Sequence, residues 1–235
     1  MAKSKGKSQE ADKKAAALMA VREVKGGMKL GLGTGSTVKY FIEELGRKKF
    51  PGLVVPSSKA SEDLAKKSGL KVTTLDEVAK MGFKKAGDMG GGLIDLYVDG
   101  ADEVDRTYNL IKGGGGALTR EKVVASASTE FVCIVDESKA VAKLGKFPLP
   151  VEVLPFAKAF VTSELEELGG KVVERKKFTT DNGNIILDVT GLDFSDPLQL
   201  ETELNNIAGV VENGIFAVRQ PERVIISKKG KAQYM

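Results

Sequence analysis

In the first part of the chain, the order of apolar and polar positions predicts strands that alternate with helices. Short apolar runs, such as Met28–Leu32, Leu53–Val55 and Leu93–Val98, have the length and composition of buried strands. Other segments, such as Glu10–Val24 and Val38–Leu45, repeat apolar residues every three or four positions, as amphipathic helices do. This alternation predicts an α/β fold with a parallel, doubly wound sheet.

After the proline-containing stretch Lys146–Val151, the pattern changes to strands and helices in the order βαββαβ. The predicted elements are a strand Val151–Leu154, a helix Ala157–Leu168, a strand Lys171–Lys176, a strand Ile185–Val189, a helix Pro197–Asn206 and a strand Val210–Ala217. That order is the ferredoxin-like split unit. One more apolar run, Arg223–Ile226, follows and could return to the first sheet.

Composition and charge narrow the class of protein. A hydrophobic fraction of 42 % is enough for a core, and a net charge of +4, from 36 basic and 32 acidic residues, is too small to indicate nucleic-acid binding. The single cysteine, Cys133, lies in an apolar run and is interpreted as a core residue, which leaves no disulfide within the chain. No apolar run reaches membrane-spanning length and no signal peptide is recognisable, so we expect a soluble, cytoplasmic protein.

The chain contains no histidine, which excludes several catalytic mechanisms. A Ser-His-Asp triad, a Cys-His pair and a zinc site with histidine ligands all require that residue. A general base must therefore be a carboxylate, a lysine, a tyrosine or the lone cysteine. An all-carboxylate metal site stays possible, although nothing in the sequence demands one.

Residues 98–121 hold the main concentration of reactive side chains. They contain three carboxylates, one lysine and a run of glycines: Asp99, Asp102, Glu121, Lys112 and Gly113–Gly116. Because a glycine run between a strand and a helix can turn backbone N–H groups toward an anion, this combination suggests proton transfer on a phosphorylated substrate. The composition of the stretch is also compatible with a solvated charged loop.

The segment Gly31–Thr37 joins a predicted strand to a predicted helix and is a candidate phosphate site. A helix N-terminus offers N–H groups and the positive end of the helix dipole, and Ser36 and Thr37 add hydroxyl groups. Ser36 stands where a dinucleotide-binding loop has its last glycine, and the Gly-Lys-Ser/Thr of a Walker loop is absent. We therefore expect one phosphate group here; the alternative is an ordinary glycine-rich turn.

Further candidates follow buried strands, where parallel sheets bind their ligands. Asp99 and Asp102 can hold sugar hydroxyl groups and move protons, or they cap turns with their side chains. Glu121 should point back toward the glycine run, unless it is a surface carboxylate paired with a lysine. Lys139 begins a predicted helix after the next strand and could reach a phosphate, although a solvated lysine is the default interpretation.

Five linked motifs resemble those of the ribose-5-phosphate isomerase A family. In chain order they are Gly33-Thr34-Gly35-Ser36-Thr37, Asp99-Gly100-Ala101-Asp102-Glu103, Lys112-Gly113-Gly114-Gly115, Leu118-Thr119-Arg120-Glu121-Lys122 and Leu144-Gly145-Lys146-Phe147-Pro148-Leu149-Pro150-Val151-Glu152-Val153. Their order and spacing match, and the resemblance spans about Lys13–Ser227. The departures, a basic head before Glu10 and the glycine-rich stretch Gly87–Gly92, touch none of the motifs.

The resemblance implies a metal-free, cofactor-free aldose–ketose isomerase. Its substrates would be D-ribose 5-phosphate and D-ribulose 5-phosphate, interconverted through an enediol(ate) in the non-oxidative pentose phosphate pathway. By this resemblance Glu121 is the base, while Asp99, Asp102 and Lys112 handle the hydroxyl and carbonyl oxygens and assist ring opening. The substrate-binding residues that it implies are Thr34, Gly35, Ser36, Thr37, Gly100, Ala101, Gly113, Gly114, Gly115 and Lys139.

The resemblance also implies how the chain is organised. A Rossmann-like catalytic domain would comprise residues 10–146 and 218–235, and a small α+β ferredoxin-like (βαββαβ) lid domain would comprise residues 147–217. Residues 1–9, rich in Lys, Ser and Gly, are expected to form a disordered basic head. The protein should be a homo-oligomer, most simply a dimer, without nucleic-acid or membrane partners.

Three other functions compete with this interpretation. An amino-sugar phosphate isomerase and a CoA transferase are relatives on the same scaffold, and both would share a phosphate-binding loop. A sugar-phosphate-sensing regulator would need an attached DNA-binding segment. The first 30 residues contain only one convincing helix and no helix-turn-helix, which argues against that regulator.

Overall fold

The computed structural model describes residues 2–81 and 92–235. Most of the predicted glycine-rich stretch Gly87–Gly92, and the predicted end of a short helix near Gly82, lie outside the described residues. Contacts group the described residues into two compact units. The first unit comprises Met1–Gly100, Val123–Ser138 and Pro221–Met235, and the second comprises Ala101–Lys122 and Lys139–Gln220. Relative to the predicted domain boundaries, the second unit also takes in residues 101–122, 139–146 and 218–220.

The α-helices of the described residues are α1 (Ala2–Ala20), α2 (Ser36–Arg47), α3 (Lys59–Lys67), α4 (Leu75–Lys80), α5 (Leu118–Ser126), α6 (Lys158–Glu167) and α7 (Pro197–Asn205). Short 3-10 turns occupy Val21–Glu23, Glu137–Lys139 and Pro155–Ala157. Within this part of the chain, no helix combines the length and the apolar character needed to cross a bilayer.

The strands of the described residues are between two and nine residues long. They are β1 (Lys29–Leu32), β2 (Leu53–Pro56), β3 (Lys71–Val72), β4 (Ile94–Asp99), β5 (Glu103–Val104), β6 (Leu110–Ile111), β7 (Ser128–Asp136), β8 (Leu149–Val153), β9 (Lys171–Glu174), β10 (Ile185–Thr190), β11 (Val210–Asn213), β12 (Ile215–Phe216), β13 (Arg223–Lys228) and β14 (Lys231–Tyr234).

The first unit contains a seven-stranded sheet in the order β14-β13-β7-β4-β1-β2-β3. Neighbouring strands are parallel except for the antiparallel pair of β13 and β14. The chain runs outward from β1 to β3 and then continues with β4 on the other side of β1, so the strand order switches between β1 and β4. Parallel sheets bind ligands at such a point. The predicted parallel α/β sheet, including the return of Arg223–Lys228 to it, is confirmed.

An apolar stripe on α2 fixes the position of the loop that precedes it. Val38, Phe41, Ile42 and Leu45 are buried, and their spacing of three and four residues places them on one helix face. They belong to the same hydrophobic cluster as Leu30 of β1. Burial of each side chain of this size contributes about 1.5–3 kcal/mol to the free energy of unfolding. The end of β1 and the start of α2 are therefore held by the core on both sides of their connection.

The first helix begins earlier than predicted. α1 starts at Ala2, whereas the composition predicted a disordered head over residues 1–9 and a helix from Glu10. Ala16, Ala17 and Ala20 of α1 are fully buried, so packing anchors the C-terminal half of the helix. Once a helix has formed, each added residue costs little, and Ala, Lys, Gln and Glu all favour the helix. A local view of the head misses this continuation.

The second unit contains two antiparallel sheets. One has the order β11-β8-β10-β9, and its strands and helices follow the chain as β8, α6, β9, β10, α7 and β11. This is the predicted ferredoxin-like βαββαβ arrangement, which is confirmed. The other sheet has the order β12-β6-β5. Its central strand, β6, ends at Ile111, so the sheet holds the backbone directly before Lys112.

The predicted last strand of this unit, Val210–Ala217, is divided between the two sheets at Gly214. The N–H of Gly214 donates to the carbonyl oxygen of Pro150, and its own carbonyl oxygen accepts from the N–H of Lys112 at 2.9 Å. A Cβ at Gly214 would lie 2.3 Å from the carbonyl oxygen of Lys112, so only glycine permits this close approach. One residue thus moves the chain from β11 to β12.

Candidate active site

In the first unit, the loop between β1 and α2 presents the start of a helix. Gly35 precedes α2 with a φ of +120°, a value that favours glycine, and Ser36 is the first helical residue. Ser36 is exposed, whereas Thr37 is buried. Because the first turn of a helix leaves N–H groups without partners inside the helix, this loop can bind an anion with backbone and hydroxyl donors.

Asp99 supports this loop from the end of β4. Its side chain is fully buried, and its Oδ1 atom accepts the N–H of Thr34 at 3.0 Å and the N–H of Gly100 at 2.7 Å. The hydroxyl group of Tyr97 donates to Oδ2. A Cβ on Gly33 would lie 2.0 Å from Oδ1, so the carboxylate and the loop are in direct contact. These are the backbone contacts that the capping alternative expected of Asp99.

Two serines that sequence reasoning missed extend the hydroxyl groups around Thr34. The Oγ1 atom of Thr34 donates to Oγ of Ser58 at 2.8 Å and lies 3.3 Å from Oγ of Ser57. Ser57 is fully buried, and Ser58 is the N-cap of α3. A signal existed in the sequence, because both serines follow β2, the neighbour of β1. Consecutive strand ends in a parallel sheet lie at the same edge.

In the second unit, Lys112 and Glu121 form a buried ion pair. The Nζ atom of Lys112 lies 3.0 Å from Oε2 of Glu121, and the side chains are 3 % and 5 % exposed. Glu121 is in the first turn of α5, where the helix dipole favours a negative charge. The Lys112 ammonium also lies 5.4 Å from the centre of the Phe216 ring, at cation–π distance. The surface alternative for Glu121 is therefore wrong, although its expected lysine partner is present.

Asp102 lies against the glycine run. Its Oδ2 atom accepts the N–H of Gly114 at 2.7 Å, and its own N–H donates to the carbonyl oxygen of Ile111 at 2.8 Å. Gly113 has a φ of +101°, which favours glycine. A Cβ at Gly114 would lie 2.8 Å from Oδ1 of Asp102. The carboxylate of Asp102 thus packs directly against the backbone of the glycine run, where a side chain would not fit.

The structure brings together most of the predicted residues within their own units. Thr34, Gly35, Ser36, Thr37, Asp99 and Gly100 gather at the β1–α2 loop of the first unit. Asp102, Lys112, Gly113, Gly114 and Glu121 are linked by direct contacts in the second, and Ala101 and Gly115 adjoin them in sequence. Lys139 differs, because it ends the 3-10 turn Glu137–Lys139 instead of opening an α-helix. Within the described residues, no hydrogen bond or ion pair joins its half-buried side chain to the other candidates.

Two aromatic residues that contact the site differ in whether the sequence could indicate them. Tyr97 could have been found from the sequence, since it stands two residues before Asp99 on the same strand face. Phe216 gave no local signal, because it reaches Lys112 through the pairing of β12 with β6. In residues 2–81 and 92–235, no three Cys, Asp or Glu side chains come close enough together to hold a metal ion.

Comparison with known proteins shows the family to which the chain belongs. Residues 53–231 match the family model described as ribose 5-phosphate isomerase A (phosphoriboisomerase A). The ribose-5-phosphate isomerase A of Acidithiobacillus ferrooxidans is 52 % identical over 223 residues, which cover 94 % of this chain and 95 % of that protein. Its counterpart from Legionella pneumophila is 49 % identical over 213 residues, which cover 90 % and 93 %.

Solved structures give the same result in three dimensions. The crystal structure of ribose 5-phosphate isomerase A from Neisseria gonorrhoeae has a TM-score of 0.89 and 43 % identity, covering 97 % of this chain and 96 % of that one. A D-ribose-5-phosphate isomerase in complex with phospho-erythronic acid has a TM-score of 0.85 and 39 % identity, covering 95 % and 96 %. The chain therefore belongs to the ribose-5-phosphate isomerase A family and is an isomerase of ribose 5-phosphate.

Proposed function

We propose that Glu121 is the base of this isomerase and carries a proton between C2 and C1 of the sugar phosphate. The single observation that supports this role most strongly is the buried ion pair of Glu121 with Lys112 at 3.0 Å. A carboxylate removed from water tends to take up a proton, and an adjacent ammonium favours its ionised form. Lys112 thus keeps Glu121 able to accept a proton in a dry environment.

The reaction follows from this pair. Glu121 removes the C2 proton of open-chain ribose 5-phosphate, and the electron pair of that bond forms the C1–C2 double bond of an enediolate with its negative charge on O1. The hydroxyl proton moves from O2 to O1, and Glu121 returns its proton to C1, which yields ribulose 5-phosphate. The Lys112 ammonium stabilises the oxyanion that develops. No atom is gained or lost, so no oxidant or second substrate is needed.

Asp99 and Asp102 are proposed to hold the hydroxyl and carbonyl oxygens of the sugar and to assist ring opening. The support for Asp102 is its contact with the glycine run, whose N–H groups can face an oxyanion. The support for Asp99 is its hold on Thr34 in the phosphate loop. Ring opening needs a group that takes the O1 proton and another that gives one to the ring oxygen, and carboxyl groups can do both.

The phosphate group is proposed to bind at the N-terminus of α2. The proposed substrate contacts are Thr34, Gly35, Ser36, Thr37, Gly100, Ala101, Gly113, Gly114, Gly115 and Lys139. The exposed Ser36 and the helix N-terminus support the first four of them. The phospho-erythronic acid bound by the solved relative is a phosphorylated sugar acid, and its carboxylate has the shape and charge of an enediolate end. Lys139 rests on the family resemblance alone.

The cellular setting is part of the same proposal. The enzyme would act in the cytoplasm, in the non-oxidative pentose phosphate pathway, as a homo-oligomer and most simply a homodimer. The similarity to metabolic enzymes of phosphorylated sugars supports this setting. Light scattering of the purified chain would measure the oligomer, and a monomer at micromolar concentration would contradict it.

A direct assay tests the proposed reaction. The purified chain is mixed with ribose 5-phosphate in D₂O, and proton NMR follows the loss of the C2 hydrogen and the appearance of ribulose 5-phosphate. Incorporation of deuterium at C1 supports proton transfer through a base that exchanges with solvent. Glucosamine 6-phosphate and a mixture of acyl-CoA with a free carboxylic acid serve as comparison substrates. Turnover of either of these, without turnover of ribose 5-phosphate, would overturn the proposal.

A further inference from the structure

The peptide bond between Gly113 and Gly114 is held from two sides in the second unit. Its N–H, which belongs to Gly114, donates to Oδ2 of Asp102 at 2.7 Å. Its carbonyl oxygen, which belongs to Gly113, accepts from Nη1 of Arg175 at 3.2 Å. The same Nη1 atom lies 3.1 Å from the carbonyl oxygen of Gly114. One peptide group therefore connects the guanidinium of Arg175 to the carboxylate of Asp102.

Arg175 is itself fixed in place. It follows β9, and its Nε atom donates to Oδ2 of Asp188 in β10 at 2.9 Å while Nη2 donates to the other carboxylate oxygen. The guanidinium also lies 5.4 Å from the centre of the Phe178 ring. A bidentate bond of this kind sets the plane of the guanidinium, so the remaining N–H groups have one direction. That direction is toward the glycine run.

The glycine run has no side chains, and a turn bond inside it, from the N–H of Gly116 to the carbonyl oxygen of Gly113 at 2.8 Å, holds the carbonyl end of this peptide together with Arg175. Gly113 has a φ of +101° and no side chain, so the position of the peptide that follows it depends on these hydrogen bonds. A cation at the carbonyl end polarises the peptide and strengthens the hydrogen bond that its N–H donates. Loss of Arg175 would remove its polarisation of the peptide and leave the Gly113 carbonyl oxygen held by the N–H of Gly116. The N–H of Gly114 would then be held less firmly, and so would the carboxylate of Asp102 that accepts from it.

We propose that Arg175 is a positioning residue of the isomerase, which acts through the Gly113–Gly114 peptide to orient the carboxylate of Asp102. The inference rests on the proposed function, because the action of Asp102 on the sugar oxygens is part of that proposal. Arg175 itself need not contact the substrate. The sequence contained no hint of this role, since Arg175 stands in the part of the chain that the pattern assigned to the ferredoxin-like unit.

The first test measures coupling between Arg175 and Asp102. The variants are Arg175→Met, Asp102→Asn and the double variant, with kcat and KM determined for each. Arg175→Met is expected to lower kcat by about tenfold or more, the size of effect that a small misplacement near the reaction can have. In the Asp102→Asn background the same change is expected to lower kcat less than twofold. Equal losses in both backgrounds would show an indirect effect of folding and would overturn the proposal.

Matched variants separate the position of the Arg175 guanidinium from its charge and from the stability of the β9–β10 pair. Arg175→Lys keeps the positive charge but cannot bridge Asp188 and the glycine carbonyls with one planar fork, so it should lose most of the activity that Arg175→Met loses. Lys158→Met breaks the exposed ion pair with Glu174, the neighbour of Arg175, and should keep the parent activity. Parent activity in Arg175→Lys, or a loss in Lys158→Met equal to that in Arg175→Met, would contradict the proposal.

A second measurement does not depend on activity. Hydrogen exchange of the Gly114 amide is expected to be at least tenfold faster in Arg175→Met than in the parent, and unchanged in Lys158→Met. Unchanged exchange at Gly114 would overturn the proposal even if activity fell. If Asp102→Asn left isomerisation unaffected, the proposed function of Asp102 would fail, while the exchange result would still decide whether Arg175 holds the peptide. Should Arg175→Met not fold, Arg175→Lys and Asp188→Asn give the same comparison.

Discussion

The ammonium of Lys112 and the carboxylate of Glu121 contact each other at 3.0 Å inside the second unit, almost completely removed from solvent. Neither charge would be stable there alone, because transferring an ion out of water costs several kcal/mol. Each charge of the pair is therefore needed to stabilise the other in this buried position. In the proposed mechanism, the ammonium favours the ionised form of the carboxylate and stabilises the negative charge that develops on the bound sugar.

Replacing Glu121 by Gln is expected to lower kcat by at least ~10²-fold, because the amide keeps the shape and removes the basic oxygen. The KM for ribose 5-phosphate should change little. The measurement is the exchange of the C2 hydrogen of ribose 5-phosphate with deuterium from the solvent. If Glu121→Gln exchanged at the parent rate while Asp99→Asn or Asp102→Asn did not exchange, the base would be an aspartate.

Replacing Lys112 by Met is expected to destabilise the fold as well as the reaction. It leaves the buried carboxylate of Glu121 without its cation, which typically costs about 3–5 kcal/mol in the free energy of unfolding. Urea denaturation measures this loss. The double variant Lys112→Met/Glu121→Gln should be more stable than Lys112→Met alone, because the buried charge is gone. If the loss of stability in the double variant equalled the sum of the losses in Lys112→Met and Glu121→Gln, the pair would not interact.

Replacing Thr37 by Ala is expected to raise the KM for ribose 5-phosphate by about tenfold, because one hydroxyl donor at the α2 N-terminus is lost. Thr37→Ser keeps that donor and is the control, with a KM close to the parent value. Steady-state kinetics at constant ionic strength compares the two. Unchanged KM and kcat/KM in Thr37→Ala would remove this hydroxyl from the phosphate site.

Replacing Gly33 by Ala tests the fit between Asp99 and the phosphate loop. The added Cβ would lie 2.0 Å from the Asp99 carboxylate, so one of the two must move. We expect a loss of about 1–3 kcal/mol in the free energy of unfolding and a clear fall in kcat/KM. The control is Gly26→Ala, where an added Cβ meets no atom within 4 Å. Full activity in Gly33→Ala would show that the loop tolerates displacement from Asp99.

Chelation tests the expectation of a metal-free reaction. After prolonged dialysis against EDTA, the enzyme is expected to retain its kcat for ribose 5-phosphate. The reason is that the charges proposed to stabilise the enediolate come from Lys112 and backbone groups. Activity that disappeared with EDTA and returned on addition of a divalent cation would require a metal in the reaction.

The sequence by itself determined the local elements and their order. Apolar runs before Gly33 and before Asp99 predicted β1 and β4, and the spacing of Val38, Phe41 and Leu45 predicted α2. These signals are local, because the period of a strand or helix is contained in a few residues. The motif order was enough to indicate the family, and thereby Glu121 and Lys112 as candidates.

Only the tertiary structure decided which candidates touch and what supports them. The distance between Lys112 and Glu121, and the bonds from Arg175 to Gly113 and from Ser58 to Thr34, join segments far apart in the chain. No local period encodes such partners, since they depend on strand pairing and on the packing of whole elements. The same reason explains why Asp99 could be predicted as a site residue, whereas the bond that it accepts from the N–H of Thr34 could be identified only once β4 lay beside β1.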